Sequence, residues 1–192
     1  KEDTLAGHLE ITEALHHSFS GTWEQIWGED RIVENNYHEM TIRVQKTSTP
    51  KRKFNVVFRL FNDGFGFRYE FPEQEALKDF VIMDELTEFA LTGDHKAWSI
   101  PYEAHFYEAL YEASPVSKLG WVSTPLTMET NDGLFLSIHE ANLTDYAAMN
   151  LIPKEGSMTL KANLTPWSTG EKVFMKAPGV TPWRTMIVAE SA

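Results

Sequence analysis

Short runs of alternating apolar and polar residues follow one another along most of the chain, and turn residues separate them at intervals of about ten positions. The pairs Ile42 and Val44, Trp98 and Ile100, and Met186 and Val188 are examples. Regular strands at this spacing are typical of an antiparallel sandwich or barrel. The pattern therefore predicts an all-β fold, a large antiparallel β-sandwich with few or no helices.

Two hairpins stand out in this pattern. Asn62-Asp63-Gly64 separates an apolar alternating run that begins at Phe54 from an aromatic-rich run that ends at Phe71. Asp-Gly between two such runs favours a tight hairpin, because glycine accepts the positive φ of the turn. Asn131-Asp132-Gly133 repeats this chemistry ahead of a strand that leads to Glu140.

Two segments have a different local preference, Leu5–His17 and Glu103–Glu112. Their Ala, Leu and Glu residues favour helix by propensity alone. No internal repeat, low-complexity tract or Gly/Ser linker divides the chain, so the sequence predicts a single domain over residues 1–192.

Glu140 occupies a position where the alternation calls for an apolar side chain. With a period of two, Leu136, Ile138 and Glu140 share one face of the strand, whereas Ser137 and His139 share the other. Glu140 is therefore expected on the core side. An unpaired carboxylate there is costly, so a cation or hydrogen-bond donors should meet it.

Charge and composition narrow the range of partners. The chain has 192 residues, 17 basic and 28 acidic side chains, and a net charge of -11. This charge repels phosphate backbones and anionic lipid, so we expect neither a nucleic acid nor a membrane surface as a partner. The absence of cysteine excludes disulfides, thiolate catalysis and sulfur-bound zinc, and it suits either a cytosol or a bacterial periplasm.

Motifs for common hydrolytic chemistry are missing. Neither His38 nor His139, each followed by glutamate, has the second histidine four residues later that a zinc-protease helix requires. A Gly-x-Ser-x-Gly elbow and a Walker phosphate loop are also absent. Acidic side chains are thus the main chemical resource of the sequence.

Two interpretations of Glu140 follow from its chemistry. In the first, an arginine such as Arg68 or Arg184, or backbone amides, satisfy a purely structural carboxylate. In the second, Glu140 binds calcium, which takes six to eight oxygen ligands. One glutamate, even with Asp145 nearby, cannot complete such a site, so the other ligands would have to come from elsewhere.

The six tryptophans also have two interpretations. They either pack in a core or an interface, or stack on sugar rings as in carbohydrate-binding surfaces. The sequence favours packing, because no two indoles form an obvious solvent-facing ladder on one strand. The tryptophans are Trp23, Trp27, Trp98, Trp121, Trp167 and Trp183.

Five ordered blocks extend from near the start of the chain to near its end. They are residues 22–29 (TWEQIWGE), 35–39 (NNYHE), 58–71 (FRLFNDGFGFRYEF), 132–146 (DGLFLSIHEANLTDY) and 181–185 (TPWRT). In these blocks the chain resembles the N-terminal domain of glycoside hydrolase family 97, a mostly bacterial family of α-glucosidases and α-galactosidases.

The resemblance implies a supersandwich-like β domain that packs against a following (β/α)8 barrel. It implies that the barrel and the first one or two strands of the sandwich lie outside these 192 residues. The helix-prone segments Leu5–His17 and Glu103–Glu112 become strand or irregular loop, because sheet packing overrides propensity. A periplasmic or secreted location follows from the same resemblance.

The resemblance also implies a role for Glu140 as the one calcium ligand that the sandwich contributes to the active site. The remaining calcium ligands and the catalytic acid and base belong to the barrel, so no residue here is expected to be catalytic and this segment alone is expected to be inactive. Lys161 and Asn163 fall where some relatives contact substrate, an α-linked oligosaccharide. Some members of the family invert the anomeric centre and others retain it.

Three functional hypotheses are therefore open. The chain is either part of the noncatalytic sandwich of a calcium-dependent α-glycosidase, a stand-alone carbohydrate-binding module, or a structural interaction domain in which Glu140 is paired with arginine.

Overall fold

The computed structural model describes residues 4–106 and 108–191, and its regular structure is almost entirely antiparallel strand. Within that part of the chain, the only helical element is the short 3-10 turn Val116–Lys118. The all-β prediction is confirmed. No helix in the described residues is long and apolar enough to cross a bilayer.

The chain divides into two compact units, which are described separately. Unit 1 comprises Lys1–Lys78 and Ala177–Val180, and unit 2 comprises Asp79–Lys176 and Thr181–Ala192. The prediction of a single domain over residues 1–192 stays a prediction. Strands are labelled in chain order over both units.

Unit 1 is an antiparallel meander of four long strands, to which one short strand is added. Each long strand pairs with the next along the chain, and β15 pairs with β4. The strands are β1 (Leu9–Glu24), β2 (Ile32–Lys46), β3 (Lys53–Phe61), β4 (Gly64–Phe71) and β15 (Gly179–Val180).

The helix-prone segment Leu5–His17 is strand from residue 9 onwards, in β1. Pairing with β2 continues from Leu9 opposite Lys46 to Glu24 opposite Ile32, with one irregularity between Ile11 and Glu13. This long ladder satisfies the backbone groups that a helix would otherwise pair, so it outweighs the local propensity. Residues 103–111, apart from 107, are irregular chain rather than helix. Both outcomes confirm the expectation drawn from the resemblance.

Both predicted hairpins are present. In unit 1, Asn62 and Asp63 form the turn between β3 and β4, and Phe61 lies opposite Gly64. In unit 2, the loop 130–134 joins two paired strands, and its Gly133 has a φ of 87°. A positive φ in that range is the reason for glycine at this position.

Unit 2 contains two antiparallel sheets and one separate strand pair. The first sheet has the order β16-β11-β10-β7-β8, the second has the order β6-β13-β12-β9, and β5 pairs with β14. The strands are β5 (Asp79–Ile82), β6 (Glu88–Ala90), β7 (Lys96–Ser99), β8 (Glu112–Pro115), β9 (Val122–Ser123), β10 (Leu126–Glu129), β11 (Phe135–Ala141), β12 (Met149–Pro153), β13 (Thr159–Leu164), β14 (Val173–Lys176) and β16 (Trp183–Ala189).

The core of unit 2 is sandwich-like, with apolar side chains from both sheets. The first sheet contributes Leu126, Met128 and Ile138, and the second contributes residues 151, 160 and 164, which are all leucine; each of the six has no exposed surface. A fully buried side chain of this size stabilises the fold by about 1.5–3 kcal/mol relative to an exposed one. The alternation read from the sequence therefore marks the buried faces of this unit.

The tryptophans divide into two groups. Trp98 is part-buried and stacks on Phe135 with ring centroids 6.2 Å apart, and Trp183 is also part-buried. The other four indoles, at positions 23, 27, 121 and 167, are at least half exposed. Core packing within this chain therefore does not account for those four, and interface packing and sugar stacking stay open for them.

Candidate functional site at Glu140

Glu140 lies near the end of β11, on its buried face. Ile138 and Glu140 are buried, whereas His139 and Ala141 are exposed. This alternation confirms that the carboxylate points to the core side of the strand, as the period of two predicts.

The partner of Glu140 is an arginine on the neighbouring strand. In the register of β11 with β16, Glu140 lies opposite Arg184. Residues in directly opposed positions share one face of an antiparallel pair, so their side chains can meet. Nη1 of Arg184 donates to Oε2 of Glu140 at 2.7 Å, and the two side chains are 0% and 6% exposed. Arg68, the other arginine considered, instead binds Glu70 in unit 1.

A second carboxylate, Glu85, binds the same arginine. Nε and Nη2 of Arg184 donate to the two oxygens of Glu85 at 2.8 and 2.6 Å, which is the bidentate geometry of a strong ion pair. Thr87 donates its hydroxyl to Oε1 of Glu85 at 2.8 Å, and Tyr146 donates to Oε2 at 3.2 Å. We call Glu85, Glu140 and Arg184 the carboxylate–arginine cluster.

Electrostatics keep the arginine of this cluster charged. Burial acts to lower the pKa of Arg184, but the hydrogen bonds that its guanidinium donates to Glu85 and the charges of Glu85 and Glu140 outweigh it, so the pKa is raised above its ordinary value. Two carboxylates thus share one guanidinium. The fully buried guanidinium holds both acidic side chains in fixed positions.

The backbone also binds Glu140. The N–H of Met149, the first residue of β12, donates to Oε1 at 3.1 Å and to Oε2 at 3.3 Å. Glu140 thereby links the end of β11 to the start of β12 and encloses the loop 142–148. Two residues of this loop, Asn142 and Asp145, have positive φ angles of 58° and 48°. Apart from glycine, Asn and Asp are among the residues that adopt this left-handed region most readily, which suits their positions in a loop.

The fit of this cluster to calcium is partial. A carboxylate oxygen carries two lone pairs, and the only hydrogen bond to Oε1 of Glu140 from the described residues comes from Met149. One lone-pair direction of Oε1 is thus left for a cation. However, the described residues contain no group of three or more His, Asp or Glu side chains that could hold a metal ion. The described residues therefore do not form a complete calcium site, and the role of Glu140 as a calcium ligand stays a prediction.

Lys161 and Asn163 lie on the same face of β13, opposite the buried Leu160, Ala162 and Leu164. Lys161 binds the carboxylate of Asp84 at 2.8 Å, one residue before Glu85. Asn163 donates to the side chain of Asn150 at 3.0 Å, one residue after Met149. Lys161 is thus bound next to Glu85, which binds Arg184, and Asn163 is bound next to Met149, which binds Glu140. Their role in substrate binding stays a prediction.

Comparison with known proteins assigns the chain to a family. A family model described as the glycosyl-hydrolase 97 N-terminal domain matches residues 1–192. The chain belongs to the glycosyl-hydrolase 97 N-terminal family. This finding confirms the resemblance read from the five sequence blocks.

This family member is similar to two named enzymes and to a solved structure. The chain is 27% identical over 150 residues to a retaining α-galactosidase of Bacteroides thetaiotaomicron, with 70% of the chain and 21% of that protein covered. It is 29% identical to a probable retaining α-galactosidase of Streptomyces bingchenggensis, with 73% and 21% covered. A family 97 enzyme from a Pseudoalteromonas species, solved with acarbose, is 38% identical with a TM-score of 0.90, and 96% of the chain matches 28% of it.

These coverages show that the chain matches only a small part of each relative. The chain spans 21% of the two curated relatives and 28% of the solved enzyme. The fold and the family are therefore findings about the chain itself, whereas the activity of the relatives belongs to much longer proteins.

Glu85 is the residue of the cluster that sequence reasoning missed. It lies between β5 and β6, where the buried positions 85 and 87 carry polar side chains and the exposed position 86 carries leucine, so the apolar pattern does not mark Glu85 as buried. The available signal was electrostatic, because a buried arginine that faces one carboxylate can bind a second with its remaining donors.

Proposed function

We propose that this chain is the noncatalytic N-terminal sandwich of a calcium-dependent α-glycosidase that cleaves α-glucosidic or α-galactosidic bonds. The observation that carries the proposal is the family match over residues 1–192, together with the buried Glu140 at a strand end. The low coverage of the relatives supports a longer protein in which a (β/α)8 barrel supplies the catalytic groups. A periplasmic or secreted location belongs to the same proposal.

In this proposal Glu140 supplies one oxygen ligand to calcium, and residues of the barrel supply the others. Bound calcium would orient substrate oxygens and neutralise carboxylate charge. The contribution of this chain is positional: Arg184 holds Oε2 of Glu140, and Met149 bridges both oxygens. Lys161 and Asn163 would contact the α-linked oligosaccharide.

Replacement of Glu140 by Gln in the longer protein tests this role. We expect calcium affinity and turnover to fall together, because the amide removes the negative charge that binds the cation. Glu88→Gln is the matched control, since Glu88 forms an exposed ion pair with Lys154 in the same unit. Unchanged calcium dependence in Glu140→Gln would refute the proposal.

The chain by itself provides a second test. We expect no glycosidase activity from these 192 residues and only weak calcium binding, because most of the oxygen ligands are missing. Submicromolar calcium binding in calorimetry of this chain alone would contradict the composite site.

A purely structural role of Glu140 is the second candidate, and the ion pair with Arg184 favours it. A structural role predicts that Glu140→Gln lowers the free energy of unfolding but leaves the calcium affinity of the longer protein at the level of the Glu88→Gln control. Measurement of both quantities on the same two variants therefore separates the candidates.

A further inference from the structure

A cavity of about 470 Å³ lies in unit 2, beside the carboxylate–arginine cluster. The loop that Glu140 encloses forms one wall with residues 145–148, and residues 165–167 and 172–174 form the other. The backbone N–H of Thr165 donates to the carbonyl of Ala148 at 3.0 Å, so a hydrogen bond joins the two walls. Ligand cavities commonly have volumes of about 300–1,000 Å³, so this cavity is large enough for a small molecule.

The lining combines two exposed aromatic rings with charged groups. Trp167 and Phe174 are 63% and 61% exposed, although burial of an indole or a phenyl ring is energetically favourable. Asp145 provides an exposed carboxylate in the same lining. Aromatic faces pack on the C–H faces of a sugar ring, and carboxylate oxygens accept hydrogen bonds from its hydroxyl groups.

Local hydrogen bonds hold the second wall of the cavity in place. The N–H of Trp167 donates to the carbonyl of Glu171 at 2.8 Å, and the N–H of Gly170 donates back to Trp167 at 2.9 Å, so the indole projects from a closed turn. Lys172 donates its ammonium to the carbonyl of Leu164 at 2.5 Å. A site formed in advance loses little entropy when a ligand binds.

Tyr146 connects the cavity to the cluster. Tyr146 lines the cavity, and its hydroxyl donates to Oε2 of Glu85, which binds Arg184. The cavity therefore adjoins the side chains that position Glu140.

We propose that this cavity binds a neutral hexopyranose unit of an α-linked oligosaccharide, with Trp167 and Phe174 against the ring and Asp145 accepting from hydroxyl groups. The hexopyranose class follows from the lining, whereas the α linkage rests on the proposed function. The cavity is thus a sugar subsite of the sandwich itself, distinct from the calcium-ligand role of Glu140.

Titration of the ¹⁵N-labelled 192-residue chain with maltotriose and with raffinose tests the subsite. The indole N–H signal of Trp167 is assigned by its absence in Trp167→Phe. We expect this signal to shift saturably with a dissociation constant on the order of millimolar for at least one sugar. Trp167→Ala, followed by the backbone N–H signals of the cavity lining, should weaken binding about tenfold, because it removes the indole face. Asp145→Asn should weaken binding about threefold, because it removes the charge and replaces one acceptor oxygen by an NH2 donor.

Trp121→Ala is the matched control, since Trp121 is an indole of unit 2 that is 52% exposed and lies outside the cavity lining. It should bind both sugars as the unmodified chain does. The absence of a saturable shift of Trp167 with either sugar, or equal affinities of Trp167→Ala and Trp121→Ala, would overturn the subsite. Neither result bears on the calcium affinity of Glu140→Gln in the longer protein, so the two proposals fail independently.

Discussion

Replacement of Arg184 by Met tests whether the carboxylate–arginine cluster holds unit 2 together. The guanidinium donates three hydrogen bonds of 2.6–2.8 Å to Glu85 and Glu140, and its side chain has no exposed surface. Methionine can fill the space of the stem but cannot neutralise a charge. Both carboxylates, 5% and 6% exposed, would then be buried without their cation.

The expected loss is large. Removal of one partner from a buried ion pair costs about 3–5 kcal/mol, because the remaining charge is left uncompensated. Total unfolding free energies of domains are only about 5–15 kcal/mol. Arg184→Met should therefore lose a substantial fraction of the stability, measured as the free energy of unfolding in urea by tryptophan fluorescence.

Arg31→Met is the matched control. Arg31 binds Glu24 at 2.7 Å, the same distance as from Arg184 to Glu140, but the two side chains are 80% and 57% exposed. Exposed pairs contribute about 0–1 kcal/mol, so this variant should unfold almost as the unmodified chain does. The triple variant Arg184→Met, Glu85→Met and Glu140→Met should recover most of the loss, because no buried charge remains. Equal stabilities of Arg184→Met and Arg31→Met would refute the reasoning.

Three further predictions concern stability. The backbone N–H of Ser117, and to a smaller extent its hydroxyl, donate to the carboxylate of Asp94 and hold its pKa below the ordinary value of 3.8. The contribution of Asp94 to stability is therefore present above about pH 4 and is lost as the pH falls through the lowered pKa. Asp94→Asn should accordingly be less stable than the unmodified chain at pH 7, and thermal unfolding should show this difference narrowing below about pH 4. Ile138→Ala should lower the free energy of unfolding in urea by about 2–5 kcal/mol, because Ile138 is fully buried. Ile187 is half exposed, so an equal loss in Ile187→Ala would contradict the assigned core. Gly133→Ala should lower the free energy of unfolding by about 1 kcal/mol, because alanine is strained at a φ of 87°. Nothing lies within 4 Å of an added Cβ, so no steric clash adds to this loss. A stabilised variant would argue against this loop conformation.

The sequence predicts the fold well where a local pattern and the tertiary structure agree. Period-two alternation places Glu140 on the buried face of its strand, and Asp-Gly dipeptides locate both hairpins. Propensity fails for Leu5–His17, because the backbone of β1 is paired along its length with β2, a strand that begins at Ile32. Only pairing between distant segments decides that outcome.

The cluster is predictable only in part for the same reason. Alternation shows that Glu140 needs a partner, and the sequence offers both Arg68 and Arg184. The choice depends on the register of β11 with β16, which joins residues 44 positions apart. Glu85 is 99 positions from Arg184, and its neighbour Leu86 is exposed whereas Glu85 itself is buried, so the local apolar pattern does not mark it.

The hydrogen bonds from the Met149 N–H to Glu140 make the exchange rate of this amide a measure of the state of the Glu140 side chain. Exchange of a backbone amide hydrogen with solvent requires its hydrogen bond to open. The Met149 N–H is bound by a carboxylate rather than by a strand neighbour, so its exchange rate follows the state of one side chain, Glu140. Any cation or protein surface that draws the carboxylate away from Met149 would expose that amide to water. A single amide at the start of β12 thereby records, on the timescale of exchange, whether Glu140 is bound within the sandwich or engaged elsewhere.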